Sequence, residues 1–363
     1  MSYLKRETSA ALKGVALLFM VVHHFFTYPE WYVEGISYPF LEAVSQYLVA
    51  PLKLCIAVFA FLTGYFYFYS SRKTMGYSLR KILDLLIPHS VVCIFMTALA
   101  CMLGCFSLTV PGIVLELAGL GETVMKFSWY VPFYCIAMLL LPLVDRLSTG
   151  KPAGDMAVML VLPVAAVQCL LVTMYEQFHL DIPLMTAVLE SFREWFPVVV
   201  CGWLFAKYTL FENWLDGVTG RFSGKTGKVL LWICLCGIAF AGRLALPRFR
   251  LGAIQSAGVW SELVFTMDIL YAPLFVYGGA KLLEAIKWSP VQNMLGALGR
   301  RSMYIWFLHA MFFNCCAPVL QPLVYWPHNP VLVLLLALAV CYALAAAMDF
   351  VVRPVLKWKN KVL

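Results

Sequence analysis

Lys13 and His24 lie eleven positions apart in the apolar stretch 12–28, LKGVALLFMVVHHFFTY. At 100° per residue that spacing completes about three helical turns, so both side chains leave one face, roughly 16 Å apart along the axis. His23 is rotated about 100° from that face. Ionisable groups in hydrocarbon are costly and therefore mark functional positions by default. A neutral imidazole near pH 7 suits general-base work, and a lysine three turns away suits holding an anion. A plainer reading makes the histidines interfacial and lets Lys13 snorkel to the headgroups.

Other residues qualify by the same reasoning. Asp268 and Asp349 are the acids best placed within apolar stretches, and each needs an arginine, a histidine or a proton as partner. Asp268 is expected on the same side as His24, and an aspartate orienting an imidazole is a common catalytic arrangement. The catalytic candidates are therefore His24, His23 and Asp268. Segment 71–81, SRKTMGYSLRK, places Arg72, Lys73, Arg80 and Lys81 together, either as a phosphate site or as charge that sets topology. Segment 300–313, RRSMYIWFLHAMFF, carries Arg300, Arg301 and His309, which suit a cofactor channel and equally a plain helix with snorkelling ends. Arg243, Arg248 and Arg250 form a basic cluster that either anchors lipid phosphate or grips an anionic or sugar-phosphate acceptor. Trp129, with Tyr130 and Pro132, marks the outer end of its apolar run, as an aromatic belt does. His89, next to Pro88, is expected to be a satisfied histidine of the helix bundle.

The elements that must position these residues are membrane helices. The chain of 363 residues is 63% hydrophobic and 13% charged, too apolar for a soluble protein. Ten apolar runs of spanning length are expected, at about 9–28, 46–70, 82–105, 128–147, 156–175, 195–211, 227–246, 260–283, 302–323 and 330–354. The fold expected is an all-α integral membrane protein forming a single transmembrane domain over 1–363. The first run is long and lacks a small-residue cleavage site, so it reads as an anchor and not a signal peptide. Gly64, in the second run, would allow close helix approach.

Most of the 27 Lys and Arg residues fall in alternate segments between these runs. Lys53, Lys126, Arg193, Arg243, Arg248 and Arg250 fall on the opposite side, which is otherwise acidic. The positive-inside rule then puts both termini in the cytoplasm. The net charge of +8 is explained by a basic surface beside lipid, so no nucleic-acid partner is expected. The twelve cysteines form no CxxC motif and read mainly as small apolar packing residues, so no metal is expected.

Four segments together resemble the acyltransferase-3 family of integral-membrane acyltransferases. Lys13-x10-His24 is similar to the family's basic-residue–x10–His pattern in helix 1. FAFLTGYFY, residues 59–67, is similar to its FFFLSGY segment. The basic stretch before Pro88 and SMYIWFLH, residues 302–309, are similar to its helix-3 entry and its late Ser–aromatic–His segment. One departure stands out: the family often carries Arg-x-x-Arg before the helix-3 proline, whereas here Asp84 follows Arg80-Lys81.

The resemblance implies transfer of an acyl group, commonly acetyl, from cytoplasmic acyl-CoA to a hydroxyl of an envelope glycan or other exported acceptor. Acyl-CoA is then a donor substrate, with no permanently bound cofactor. Lys13, Arg72, Lys73, Arg80, Lys81, Arg300, Arg301 and His309 become donor-site candidates, and Trp129, Arg243, Arg248 and Arg250 acceptor-site candidates. His24 becomes the general base or a covalent acyl-histidine relay. The expected location is the plasma (inner) membrane, with lipid bilayer, acyl-CoA and the acceptor as partners and no oligomeric state implied. The competing class is a transporter or flippase of lipid-linked glycan, whose usual inverted repeats are not evident in this sequence.

Overall fold

A computed structural model of the chain describes all residues except 1, 72, 108, 175–177, 179–182, 223, 254–266, 287–288 and 363, and omits the side chains of 46, 172, 183–184, 246–253 and 362. The helices in chain order are α1 (Arg6–Phe26), α2 (Pro39–Leu52), α3 (Leu54–Phe68), α4 (Met75–Met102), α5 (Val110–Leu117), α6 (Tyr130–Leu147), α7 (Pro152–Met156), α8 (Leu162–Val172), α9 (Pro183–Lys207), α10 (Gly217–Thr219), α11 (Lys225–Ala253), α12 (Asp268–Ala285), α13 (Ser289–Arg300), α14 (Ser302–His309), α15 (Ala317–Tyr325) and α16 (Pro330–Val362). No strand occurs among the described residues, so the all-α expectation holds.

Among the described residues, seven helices are long and apolar enough to cross a membrane: Arg6–Phe26, Tyr47–Phe68, Met75–Met102, Tyr130–Leu147, Pro152–Leu171, Lys225–Ala245 and Pro330–Lys361. An eighth candidate is a bent pair, Ser302–Phe312 and Ala317–Tyr325, which turns through 106°. The stretches expected as the sixth and eighth spans are helical as well, in α9 and α12. Each carries too much charge to count with the seven. Glu190, Arg193 and Glu194 interrupt α9, while Asp268, Lys281 and Glu284 lie within the 18 residues of α12. The residues expected to open that eighth span, 260–266, lie outside the described residues. Along α16 the outward side chains are large and apolar, with Phe350 81% exposed, as lipid contact requires. The protein is a multi-pass, helical membrane protein.

The contacts divide the chain into two compact units. The first comprises Met1–Met20, Tyr47–Met75 and Leu139–Gly299, and the second Val21–Gln46, Gly76–Met138 and Arg300–Leu363. In the first unit, α3 packs along α9 through two glycines that face each other's helix backbone. A Cβ added at Gly64 would stand 1.7 Å from the Val199 carbonyl oxygen, and one at Gly202 would stand 2.0 Å from that of Phe61. With no apolar driving force between helices in lipid, such backbone-to-backbone approach is a main source of packing energy. Gly64 therefore does what its sequence context suggested.

The second unit is organised by polar side chains from the bent pair. Gln321 of α15 is fully buried and spends its whole amide on backbone. Its Nε2 donates to the carbonyls of Trp31 (2.9 Å) and Phe312 (2.8 Å), and its Oε1 accepts from the Val33 N–H (2.8 Å). The last carbonyls of a helix have no intrahelical donor. At the end of α1, Tyr32 and Tyr325 both donate to the Phe25 carbonyl at 2.8 Å, and Thr27 donates to that of His23 at 2.6 Å. These bonds fix the last turn of α1, which carries both histidines.

A candidate active site at the end of the first helix

His24 lies in that last turn. Its Nδ1 is 2.6 Å from Nε2 of His309, the last residue of α14, and the His309 Nδ1 bonds to the Trp306 carbonyl. The rings are 10° from parallel with centroids 4.8 Å apart. With so short a nitrogen–nitrogen distance, this is the edge-to-edge arrangement of an in-plane hydrogen bond and not face-to-face stacking. A carbonyl can only accept, so the His309 Nδ1 must carry a proton. In the neutral pair, the His309 Nε2 therefore accepts from the His24 Nδ1–H, and the His24 Nε2 is left with the lone pair. The bond network thus selects the tautomer in which His24 is a base at its far nitrogen.

Two further groups shape the pair. Phe127 lies flat on His24, with centroids 4.1 Å apart and planes 4° apart, and lies 5.6 Å from the His309 ring. Its backbone is left-handed (φ 70°), an unusual state for a bulky residue that persists only where the surroundings impose it. Glu116 of α5 supplies the constraint. Its buried carboxylate accepts from the N–H groups of Thr123 (3.0 Å), Val124 (2.9 Å) and Met125 (2.7 Å), drawing three consecutive amides onto one anion. A side chain at Gly121 would strike that carboxylate, with Cβ 2.4 Å from its carbon. Asn314, just beyond the α14 turn, donates to the Val124 carbonyl, and the Cys315 N–H donates to that of Thr123. The loop bearing Phe127 and the turn following His309 are thereby tied together. The second group is the wall formed by Trp31, 6.1 Å from His24, and Tyr28, stacked on Trp31 at 3.9 Å.

The other expected site residues fall elsewhere or in other roles. His23 is buried, with Nδ1 3.3 Å from the Thr27 hydroxyl and Nε2 3.1 Å from the Tyr28 hydroxyl, which gives it a structural set of partners. Asp268 sits in the first unit, 3.2 Å from Arg243, which also lies over the Trp195 ring. The partner of this acid is therefore an arginine, whereas the neighbour of His24 is a second histidine. Arg243 is committed to that ion pair and is not an open cation, while the side chains of Arg248 and Arg250 lie outside the described residues. Lys13 is half-buried on α1.

In the basic segment, Arg72 lies outside the described residues, Lys73 pairs with Asp145 at 3.3 Å, Arg80 is exposed and Lys81 pairs with Asp84 at 3.0 Å. Lys359 of α16 also reaches Asp84 and the Arg80 carbonyl, so the acid that departs from the family pattern is clamped by two lysines. Arg300 is exposed, Arg301 bonds to the Tyr342 hydroxyl, and Trp129 packs edge-on against Tyr130. His89, expected to be satisfied, is fully buried against Phe307 at 5.0 Å, and neither ring nitrogen meets a hydrogen-bond partner among the described residues. Glu116, Phe127, Trp31 and Gln321 were not visible as site residues. Their only local signal was an acid, an aromatic or an amide standing in or beside an apolar run.

The fold is that of a helical membrane protein, with two hydrogen-bonded histidines at a helix end under an aromatic cover. Residues 10–347 match the acyltransferase-3 family, described as an acyltransferase domain, and the chain belongs to that family. No curated protein and no solved structure matches the chain.

Proposed function

We propose that this protein is an O-acyltransferase using acyl-CoA, with acetyl as the acyl group, and that His24 is its general base. The observation that carries this reading is the chain from His24 through His309 to the Trp306 carbonyl, which orients the His24 Nε2 lone pair. In the proposed step, Nε2 removes the proton of an acceptor hydroxyl as its oxygen attacks the thioester carbonyl. The carbon–sulfur bond then breaks, and the departing thiolate takes the proton from the imidazolium. That transient cation is favoured by its place at the negative end of α1 and by the His309 Nε2 that receives the Nδ1–H bond.

The same reading keeps both termini cytoplasmic, the protein in the plasma membrane, Arg80 and Lys81 near donor phosphates, and a hydroxyl of an envelope glycan as acceptor. Positioned general-base catalysis contributes about 10²–10⁴-fold. His24→Ala should therefore lower acetyl transfer by that factor, with wild-type helix content and thermal melting in detergent. The measurement is thiol release from acetyl-CoA in the presence of acceptor, and near-wild-type turnover would refute the base assignment.

A further inference from the structure

We propose that the acceptor is an anionic saccharide and that Lys126 is the residue that selects it. This rests on the acyl-transfer reading and names the substrate class of the same site. Lys126 immediately precedes Phe127, whose ring covers His24. Its Nζ lies 4.6 Å from the Trp31 ring centroid and 5.6 Å from that of Phe127. The ion pairs of the described residues do not include it. Glu122, exposed on the same loop, acts on it only through space. Burial pushes the Lys126 ammonium below the usual lysine range, so this cation has lost water without gaining a counter-ion.

A half-buried, unpaired cation beside a general base is complementary to an anion on the molecule that the base deprotonates. The Trp31 and Phe127 rings offer flat apolar faces against which the C–H face of a sugar ring packs. Lysine presents a compact point charge and no planar fork, so it reads carboxylate and phosphate alike. Base and cation both lie against the Phe127 ring, the His24 ring 4.1 Å and the Lys126 Nζ 5.6 Å from its centroid. The reactive hydroxyl and the anionic group therefore belong to one sugar or to adjoining sugars, as in a uronic acid or a sugar phosphate.

The test uses the full chain in phosphatidylcholine nanodiscs. Calorimetric titration with methyl glucuronide, glucose 6-phosphate and methyl glucoside is run beside thiol release from acetyl-CoA, for wild type, Lys126→Gln and Lys126→Arg. We expect the anionic sugars to bind about 10-fold or more tightly than the neutral one, the span of one charge-assisted contact. Lys126→Gln should bring that ratio near one, and Lys126→Arg should keep most of it. A wild-type ratio near one, a ratio that survives in Lys126→Gln, or the absence of binding by all three sugars would overturn the proposal. So would a Lys126→Gln variant that loses only affinity for phosphatidylglycerol added to the discs, because the lysine would then be a headgroup anchor. Thiol release without anionic preference would remove this inference and leave acyl transfer standing. Anionic preference without thiol release would do the reverse.

Discussion

The two compact units each bury an ionisable pair, and the pairs differ in kind. In the first unit Arg243 faces Asp268, two opposite charges 3.2 Å apart, each side chain about one-tenth exposed. In the second, His24 faces His309, two groups of the same kind sharing one proton along a hydrogen bond. The opposite charges attract each other directly, while the Asp268 Oδ1 and the Arg243 Nη1 meet no hydrogen-bond partner among the described residues. This pair ties α11 to α12 and gains nothing by moving a proton. A histidine pair holds one side fixed, through the Trp306 carbonyl, and leaves the other able to accept. Both pairs were conspicuous as costly groups in apolar sequence. The chemistry of the partner, and not the cost of burial, separates a structural pair from a reactive one.

The sharpest way to break this comparison is to remove one partner from each pair. Arg243→Ala leaves a buried, uncompensated carboxylate and should cost about 3–5 kcal/mol of stability. The double variant Arg243→Met/Asp268→Leu should recover most of that loss and keep acyl transfer. His309→Ala should do the opposite, lowering turnover about 100-fold with little change in melting, because it removes the orienter of the base and no charge. Melting temperature and turnover measured together decide the matter. If Arg243→Met/Asp268→Leu were folded but inactive, Asp268 would return to the catalytic group where its apolar setting first placed it.

Helix 1 was legible in detail because its information is local. Apolar length gave the span, and the Lys13–His24 interval gave a shared face, which the unbroken α1 supports. Gly64 was legible for the same reason, since a missing side chain predicts close approach whatever the partner. The His24–His309 contact was not legible: the two residues are 285 positions apart. His309 was legible as a donor-site candidate in the Ser–aromatic–His segment, but the sequence could not show that the chain bends just beyond Phe312 or that His309 meets His24. Asp268 was singled out as a catalytic acid and Arg243 as an acceptor contact, because a single sequence shows a buried charge without its counter-charge. The expected sixth and eighth spans are helical in α9 and α12, but the acids and bases within them keep both out of the seven. The Glu116 cradle was hidden for a further reason: its three partners are backbone amides, which no residue type announces.

A third place carries exposed charge, and it should respond more weakly. Arg80 is exposed at the start of α4, beside the Lys81–Asp84–Lys359 cluster. If it contacts a donor phosphate, Arg80→Glu should raise the acyl-CoA KM about 10-fold at low ionic strength, the scale of one charged contact. The effect should shrink as salt approaches the molar range, where the Debye length falls to about 3 Å. The acceptor KM should stay near wild type. A donor KM that does not respond to the charge reversal would return this segment to setting topology.

The smallest effect is expected at His23, the neighbour of the base, and it tests whether position or residue type matters. Thr27 spends its hydroxyl proton on the His23 carbonyl, so its oxygen can only accept from the His23 Nδ1–H. That leaves the His23 Nε2 to accept from the Tyr28 hydroxyl, so both nitrogens are engaged in holding the α1 end. Tyr28 in turn stacks on Trp31, the wall beside His24. His23→Ala should therefore loosen the wall and leave the base in place. The expected result is a several-fold rise in acceptor KM with kcat near wild type, since a lost neutral hydrogen bond is worth only about 0.5–1.5 kcal/mol. The variant His23→Gln, which keeps a donor and an acceptor, should recover part of it. A kcat loss equal to that of His24→Ala would mean that both histidines handle the proton, and the division between a reactive and a structural neighbour on α1 would fall.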